Sequence, residues 1–146
     1  MNTPLEVILI EDNPQDAELT IRALKELNLA NHLIHLSDGQ EGIDFLFGIG
    51  AYEGRDLSLQ PKLILLDLKL PKLTGIEVLR ELRADERMKY IPIVVLTSSR
   101  EERDISEVYR LGANSYVVKP MNFQSYLDVI GNIGNYWLKI NLFTNF

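Results

Sequence analysis

The chain has 146 residues, 46% of them hydrophobic, a formal net charge of -6 and no cysteine. That length suits about one domain with one buried core; the lack of thiols excludes a disulfide framework and thiolate metal sites, and the acidic balance argues against a nucleic-acid surface, which needs basic stripes. No apolar run approaches the ~20 residues that cross a bilayer, and the N-terminus lacks a basic segment followed by a long apolar stretch, so a cytoplasmic protein is expected.

In chain order, Val7 to Ile10 is apolar on consecutive positions, as a strand covered on both faces must be, and it closes on Glu11 and Asp12. Asn13 followed by Pro14 reads as a helix N-cap with proline at the first helical position, and Ala17, Ile21 and Leu24 make that helix's apolar stripe. His32 to Leu36 is a weaker strand, whose His32 and His35 are given no role, and Gly42 to Phe47 is a short helix. Gly48 to Gln60 has three glycines and no period, so a long surface loop is expected there. Gly48, Gly50 and Gly54 follow a helix instead of a strand, which argues against a dinucleotide-binding loop.

Leu63 to Leu66 is the next strand and closes on Asp67; Ile76, Leu79 and Leu82 mark a helix behind it. Ile93 to Leu96 closes on Thr97, and Ile105, Val108 and Tyr109 stripe the following helix, which Gly112 ends. Tyr116 to Val118 closes on Lys119, before a longer stripe of Phe123, Tyr126, Leu127, Ile130, Ile133 and Trp137. Strand and helix in regular alternation require right-handed crossovers and a parallel sheet with helices on both faces.

Ligands of such sheets bind outside the carboxyl ends of the strands, where Glu11, Asp12, Asp67, Thr97 and Lys119 all fall. Three gathered carboxylates repel one another and raise at least one carboxyl pKa unless a cation enters. Oxygen-only ligands favour Mg²⁺ or Mn²⁺ over zinc. Beside such an ion, Asp67 is the candidate nucleophile toward a phosphoryl group, with the Lys119 ammonium and the Thr97 hydroxyl serving the transferred oxygens. Singly, each residue has a plainer reading: Glu11 and Asp12 as helix-start acids, Asp67 as a loop-start carboxylate, Thr97 as a cap, Lys119 as a solvated lysine and Tyr116 as core. Their joint placement at successive strand ends favours the chemical reading.

At these residues, in the motifs VILIEDN, LILLDLKLPKLTG, PIVVLTS and GANSYVVKP, the sequence resembles the receiver domain of two-component response regulators, over roughly residues 5 to 137. The resemblance implies a flavodoxin-like (βα)5 doubly wound parallel sheet with strand order 2-1-3-4-5. It implies that Asp67 is phosphorylated by a histidine kinase or histidine phosphotransfer protein. Mg²⁺ would be held by Asp12, Asp67 and the backbone carbonyl of Lys69, with Glu11 acting mainly through water. Lys119 would contact the phosphoryl group and the Lys119 to Pro120 peptide would be cis. Thr97 and Tyr116 would form a conformational switch, Lys69 and Ser99 would tune the phosphoryl lifetime, and the fourth helix, fifth strand and fifth helix would be the output face. Such a protein is a phosphoacceptor that assists its own phosphorylation and dephosphorylation, not an enzyme with a separate substrate. The long loop and extended C-terminus look most like single-domain receivers paired with bacterial and cyanobacterial phytochrome kinases.

The length leaves no room for a DNA-binding or catalytic output domain, so output by partner binding or onward phosphorelay is expected. Residues 138 to 146 form a C-terminal extension whose Leu138, Ile140, Leu142, Phe143 and Phe146 are too apolar for an ordinary tail. It is expected either to fold back on its own domain or to join the last helix in a homodimer. Two other functions fit less well. A flavodoxin-type electron carrier needs a hydroxyl-rich phosphate loop where Glu11, Asp12 and Asn13 stand, and an aspartate phosphatase needs a second acid where Lys69 stands.

Overall fold

The computed structural model describes residues 5–142. Strands β1 (Val7–Ile10), β2 (Leu33–Leu36), β3 (Leu63–Leu66), β4 (Ile93–Thr97) and β5 (Ser115–Val118) form one parallel sheet in the order β2-β1-β3-β4-β5. Helices α1 (Pro14–Glu26), α2 (Gly39–Phe47), α3 (Gly75–Ala84), α4 (Glu102–Leu111) and α5 (Phe123–Gly134) fill the crossovers. This is the flavodoxin-like order expected, with the sequence reversing its direction of travel between β1 and β3.

The period of two along each strand builds two cores. Val7, Leu9, Leu63, Leu65, Val94 and Leu96 pack toward α1 and α5, through Ala17, Leu24, Tyr126, Ile130 and Ile133. Ile8, Ile10, Ile64, Leu66, Ile93 and Val95 pack toward α2, α3 and α4, through Ile43, Leu46, Val78, Leu82 and Val108. Strands buried on both sides need apolar residues at every position, and β1 and β3 have them.

Caps set the helix starts. Asn13 Oδ1 accepts from Gln15 N and Asp16 N with Pro14 at the first position, as the sequence predicts. Asp38 caps α2 and starts it at Gly39, ahead of its apolar run, while Thr74 and Glu77 form a capping box on α3. Gly112 ends α4 in the left-handed region at φ 102°, which an L side chain rarely adopts. Among α4 residues only Val108 is buried; Tyr109, expected on the same stripe, is 50% exposed because its successive position turns it about 100° off that narrow face. Phe123 shares the face of buried Tyr126 and Ile130 but is exposed in the first turn of α5, while Trp137 and Leu138 pack on the α1/α5 core. The chain leaves α5 through a π-helical turn at Asn135–Ile140, and Ile140 and Leu142 stay exposed. Phe143 and Phe146 lie outside the described residues.

The stretch after α2 is more ordered than a loop reading implies. A 3₁₀ turn at Gly50–Tyr52 leads to Arg55, whose guanidinium lies 4.2 Å from the Phe45 ring centroid and donates to the Phe45 and Leu46 carbonyls at 2.6 and 3.3 Å. Arg55 thus adds donors at the C-terminus of α2, sharing the Phe45 carbonyl with Gly48 N at 3.3 Å. Among the described residues no helix is long and apolar enough to cross a membrane. Replacing Arg55 with alanine removes its bonds to the Phe45 and Leu46 carbonyls and the cation over Phe45, and thermal unfolding should show a loss of about 1–3 kcal/mol with the fold retained.

Candidate functional site

Register brings the acids together. Ile10 is level with Leu66 across the β1–β3 pair, so the next residues, Glu11 and Asp67, leave the sheet side by side. Glu11 follows the parity of Val7 and Leu9, Asp67 that of Leu63 and Leu65, and Lys119 that of Val117, which places all three on the α1/α5 side. Thr97 instead continues Ile93 and Val95 toward α3 and α4, the side on which Tyr116 packs.

The Lys119 ammonium is the hub of the first group. It lies 2.6 Å from Glu11 Oε1, 2.8 Å from Asp16 Oδ2 and 2.9 Å from Asp67 Oδ2. Side-chain exposure is 9% for Lys119, 2% for Glu11 and 8% for Asp67, so these charges are largely removed from water. Asp67 is fixed on its other oxygen by Leu68 N at 2.7 Å, with Lys69 N at 3.4 Å. Gly75 N donates to Leu68 O at 2.9 Å, and a Cβ at Gly75 would stand 2.2 Å from the Asp67 carbonyl oxygen, so only glycine lets the start of α3 close on the Asp67 backbone. Glu11 accepts from Asn13 N at 3.2 Å, and His35 Nε2 donates to the Glu11 carbonyl at 2.7 Å.

One ammonium cannot neutralise three carboxylates. Burial pushes the Glu11 carboxyl up to about 7, against the pull of Lys119 and with further help from the Asp67 charge. Burial also opposes the charge on Lys119, but its bonds to Asp16, Glu11 and Asp67 outweigh that and hold the ammonium above its ordinary range. The repulsion expected from the sequence contributes at Glu11 through Asp67, behind the larger effect of burial.

Exposed Asp12 stands at the rim. Glu11, Asp12 and Asp67 each offer a carboxylate oxygen within 4.8 Å of the other two, an all-oxygen donor set that suits a hard divalent ion. Lys69 follows on the exposed rim. The Lys119–Pro120 peptide, which the resemblance implies to be cis, is trans, like every other peptide bond among the described residues. Trans is preferred by about 0.5–1 kcal/mol even before proline. From that backbone, pinned by Lys119 N donating to Thr97 O at 2.8 Å, the ammonium already reaches its three carboxylates.

Thr97 is fully buried, and its hydroxyl accepts a long bond of 3.5 Å from Ser99 N. Ser99 Oγ donates to Asp104 at 2.6 Å, and the Tyr116 hydroxyl donates to Ser99 O at 2.9 Å. Asp16 is the member that sequence reasoning missed. It stands in the first turn of α1, where an acid is ordinarily read as helix-dipole compensation. Its spacing of one helical turn from Asp12 was the available signal.

A family model described as "Response regulator receiver domain" matches residues 7–130. The response regulator Rcp1 of Synechocystis is 39% identical over 138 residues, covering 94% of this chain and 92% of Rcp1. The solved structure of the Mn²⁺-bound form of Rcp1 superposes with a TM-score of 0.89 at 37% identity, over 97% of this chain and 99% of that one. The phosphorylated cyanobacterial phytochrome response regulator RcpA gives a TM-score of 0.88 at 35% identity, over 96% and 98% of the two chains.

The carboxylate cluster makes the site's stability sensitive to cations. At about a hundred times its dissociation constant a divalent ion should add about 2.7 kcal/mol to the unfolding free energy, read as a rise in melting temperature. Asp12→Ala should lose most of that gain while melting normally in chelator.

Proposed function

The chain belongs to the response regulator receiver family, and on that premise we propose that Asp67 accepts a phosphoryl group from a phosphohistidine of a sensor histidine kinase or histidine phosphotransfer protein. The observation that carries this reading is the Asp67 carboxylate itself: buried at a strand end, anchored on one oxygen by Leu68 N and on the other by Lys119, beside a divalent-cation donor set.

An Asp67 oxygen attacks the phosphorus, the P–N bond breaks, and the departing imidazole keeps the electron pair and takes up a proton. The product is an acyl phosphate, which water later cleaves to inorganic phosphate and the free carboxylate. Asp12, Asp67 and the Lys69 carbonyl would hold Mg²⁺, with Glu11 behind through water, and the ion supplies charge neutralisation and orientation of the phosphoryl oxygens. Lys119 holds its ammonium where a phosphoryl oxygen on Asp67 would develop charge. Ser99 and Lys69, flanking the site, would set access for the hydrolytic water.

The switch uses the other face. Thr97 would turn toward the phosphoryl oxygen, and Tyr116, whose hydroxyl now bonds Ser99 O, would change rotamer as the β4–α4 loop follows. Phosphorylation shifts this equilibrium only by as much as it binds the active arrangement more tightly. Exposed Tyr109, Met121 and Phe123 support a partner-binding output face on α4, β5 and α5, onward phosphorelay being the alternative output. The likeness to the cyanobacterial phytochrome response regulator RcpA supports a phytochrome-class kinase as the donor, and a cytoplasmic location belongs to the same reading. Exposed Tyr136, Ile140 and Leu142 support a homodimer through α5 and the C-terminal extension.

Incubation with acetyl phosphate and Mg²⁺ should add one phosphoryl group to the intact mass, lost in base and kept in acid. Asp67→Asn should gain none; equal gain by that variant contradicts the assignment. For the dimer, light scattering on protein truncated after Trp137 should give half the native mass, and an unchanged oligomeric state rejects that interface.

A further inference from the structure

Lys119 carries three N–H donors, and all three are engaged: Glu11, Asp16 and Asp67. Two of those partners, Glu11 and Asp67, belong to the cluster that fits a cation, whereas Asp16 does not. A lysine side chain is a flexible four-carbon stem, so an ammonium whose partners turn to a metal or to a phosphoryl group needs another anchor to stay in place.

Asp16 is built to be that anchor. Its backbone N is capped by Asn13 Oδ1 at 3.1 Å, and its carbonyl accepts from Thr20 Oγ1 at 2.9 Å. Thr20 in turn bonds the buried Tyr126 hydroxyl of α5 at 3.1 Å, and Tyr126 itself leans on the Asp16 carbonyl at 3.5 Å. The first turn of α1 is thereby braced against α5, and the carboxylate is presented to Lys119 from a fixed backbone.

We propose that Asp16 is a positioning residue for phosphoryl transfer: its carboxylate holds the Lys119 ammonium in the site while Glu11 and Asp67 turn toward the cation and Asp67 bonds the phosphorus. The inference rests on the phosphoacceptor role of Asp67. In the transfer step, Lys119 redirects one N–H to a phosphoryl oxygen and keeps its bond to Asp16; no proton leaves either side chain.

The test is a double-mutant cycle on the second-order rate of phosphorylation by acetyl phosphate at saturating Mg²⁺, with folding checked by circular dichroism. Asp16→Ala should slow the reaction about tenfold and Lys119→Met, which keeps the stem, about a hundredfold, while the double variant should be no slower than Lys119→Met alone. Asp16→Asn, which keeps one acceptor and the shape, should fall between native and Asp16→Ala, and it serves if the alanine variant does not fold. The Mn²⁺ dissociation constant should stay within about twofold of native in both Asp16 variants, because Asp16 lies outside the cation cluster. A native rate in both Asp16 variants, the same fractional loss with Lys119 already removed, or a Mn²⁺ affinity weakened about tenfold each overturns the proposal. Native protein that takes no phosphoryl group overturns the phosphoacceptor reading and this one with it; a native chain that phosphorylates beside an unaffected Asp16→Ala overturns only this one.

Discussion

The Lys119 ammonium stands among Glu11, Asp16 and Asp67 at 2.6 to 2.9 Å, and most of what is distinctive in this chain exists to make that meeting possible. Truncating one partner of a buried ion pair typically costs about 3–5 kcal/mol, because the charges left behind have no water to turn to. Here one ammonium faces three carboxylates, and burial, with a lesser push from the Asp67 charge, holds the Glu11 carboxyl above its ordinary range. A site with one positive and several negative groups is poised to take up further positive charge, and the oxygen cluster beside Asp67 offers the place for it. Stability is given up at the strand ends and recovered in the two apolar layers beneath them.

The sheet divides labour by parity. Glu11, Asp67 and Lys119 emerge toward α1 and α5, so the chemistry is braced by the first and last helices, with Asp16 and Tyr126 as their contact. Thr97 and Tyr116 emerge toward α3 and α4, where α4 is held by a single buried residue, Val108. The side braced by α1 and α5 thus carries the groups proposed to react, and the side where α4 buries only Val108 carries the elements proposed to move. Ser99 joins them, bonded to Tyr116 through its carbonyl and to Asp104 through its hydroxyl.

Much of this was legible beforehand because buried parallel strands must be apolar at every position, so Val7–Ile10 and Leu63–Leu66 announce themselves and their first polar successors become site candidates. β2 was weaker because, at the sheet edge, three of its four residues are only partly buried. What escaped depended on side chains reaching across the fold. Asp16 looks like an ordinary first-turn acid until Lys119, distant in sequence, arrives beside it. Arg55 looks like loop polarity until its guanidinium meets the end of α2. Tyr109, one position after Val108, turns off the single buried face of α4, and Phe123 stands exposed in the first turn of α5. The trans Lys119–Pro120 bond corrects an expectation drawn from family likeness, since one dipeptide does not determine its own isomer.

The central claim, that this arrangement makes Asp67 and not its acidic neighbours the phosphoryl acceptor, is tested most directly by trapping. Protein treated with acetyl phosphate and Mg²⁺, then reduced with borohydride, converts an acyl phosphate to an alcohol, and peptide mass spectrometry locates the reduced residue. The account predicts homoserine at position 67 and nowhere else. Reduction at Asp12 or Asp16, or unreduced aspartate at 67 in protein that has gained a phosphoryl group, would contradict it.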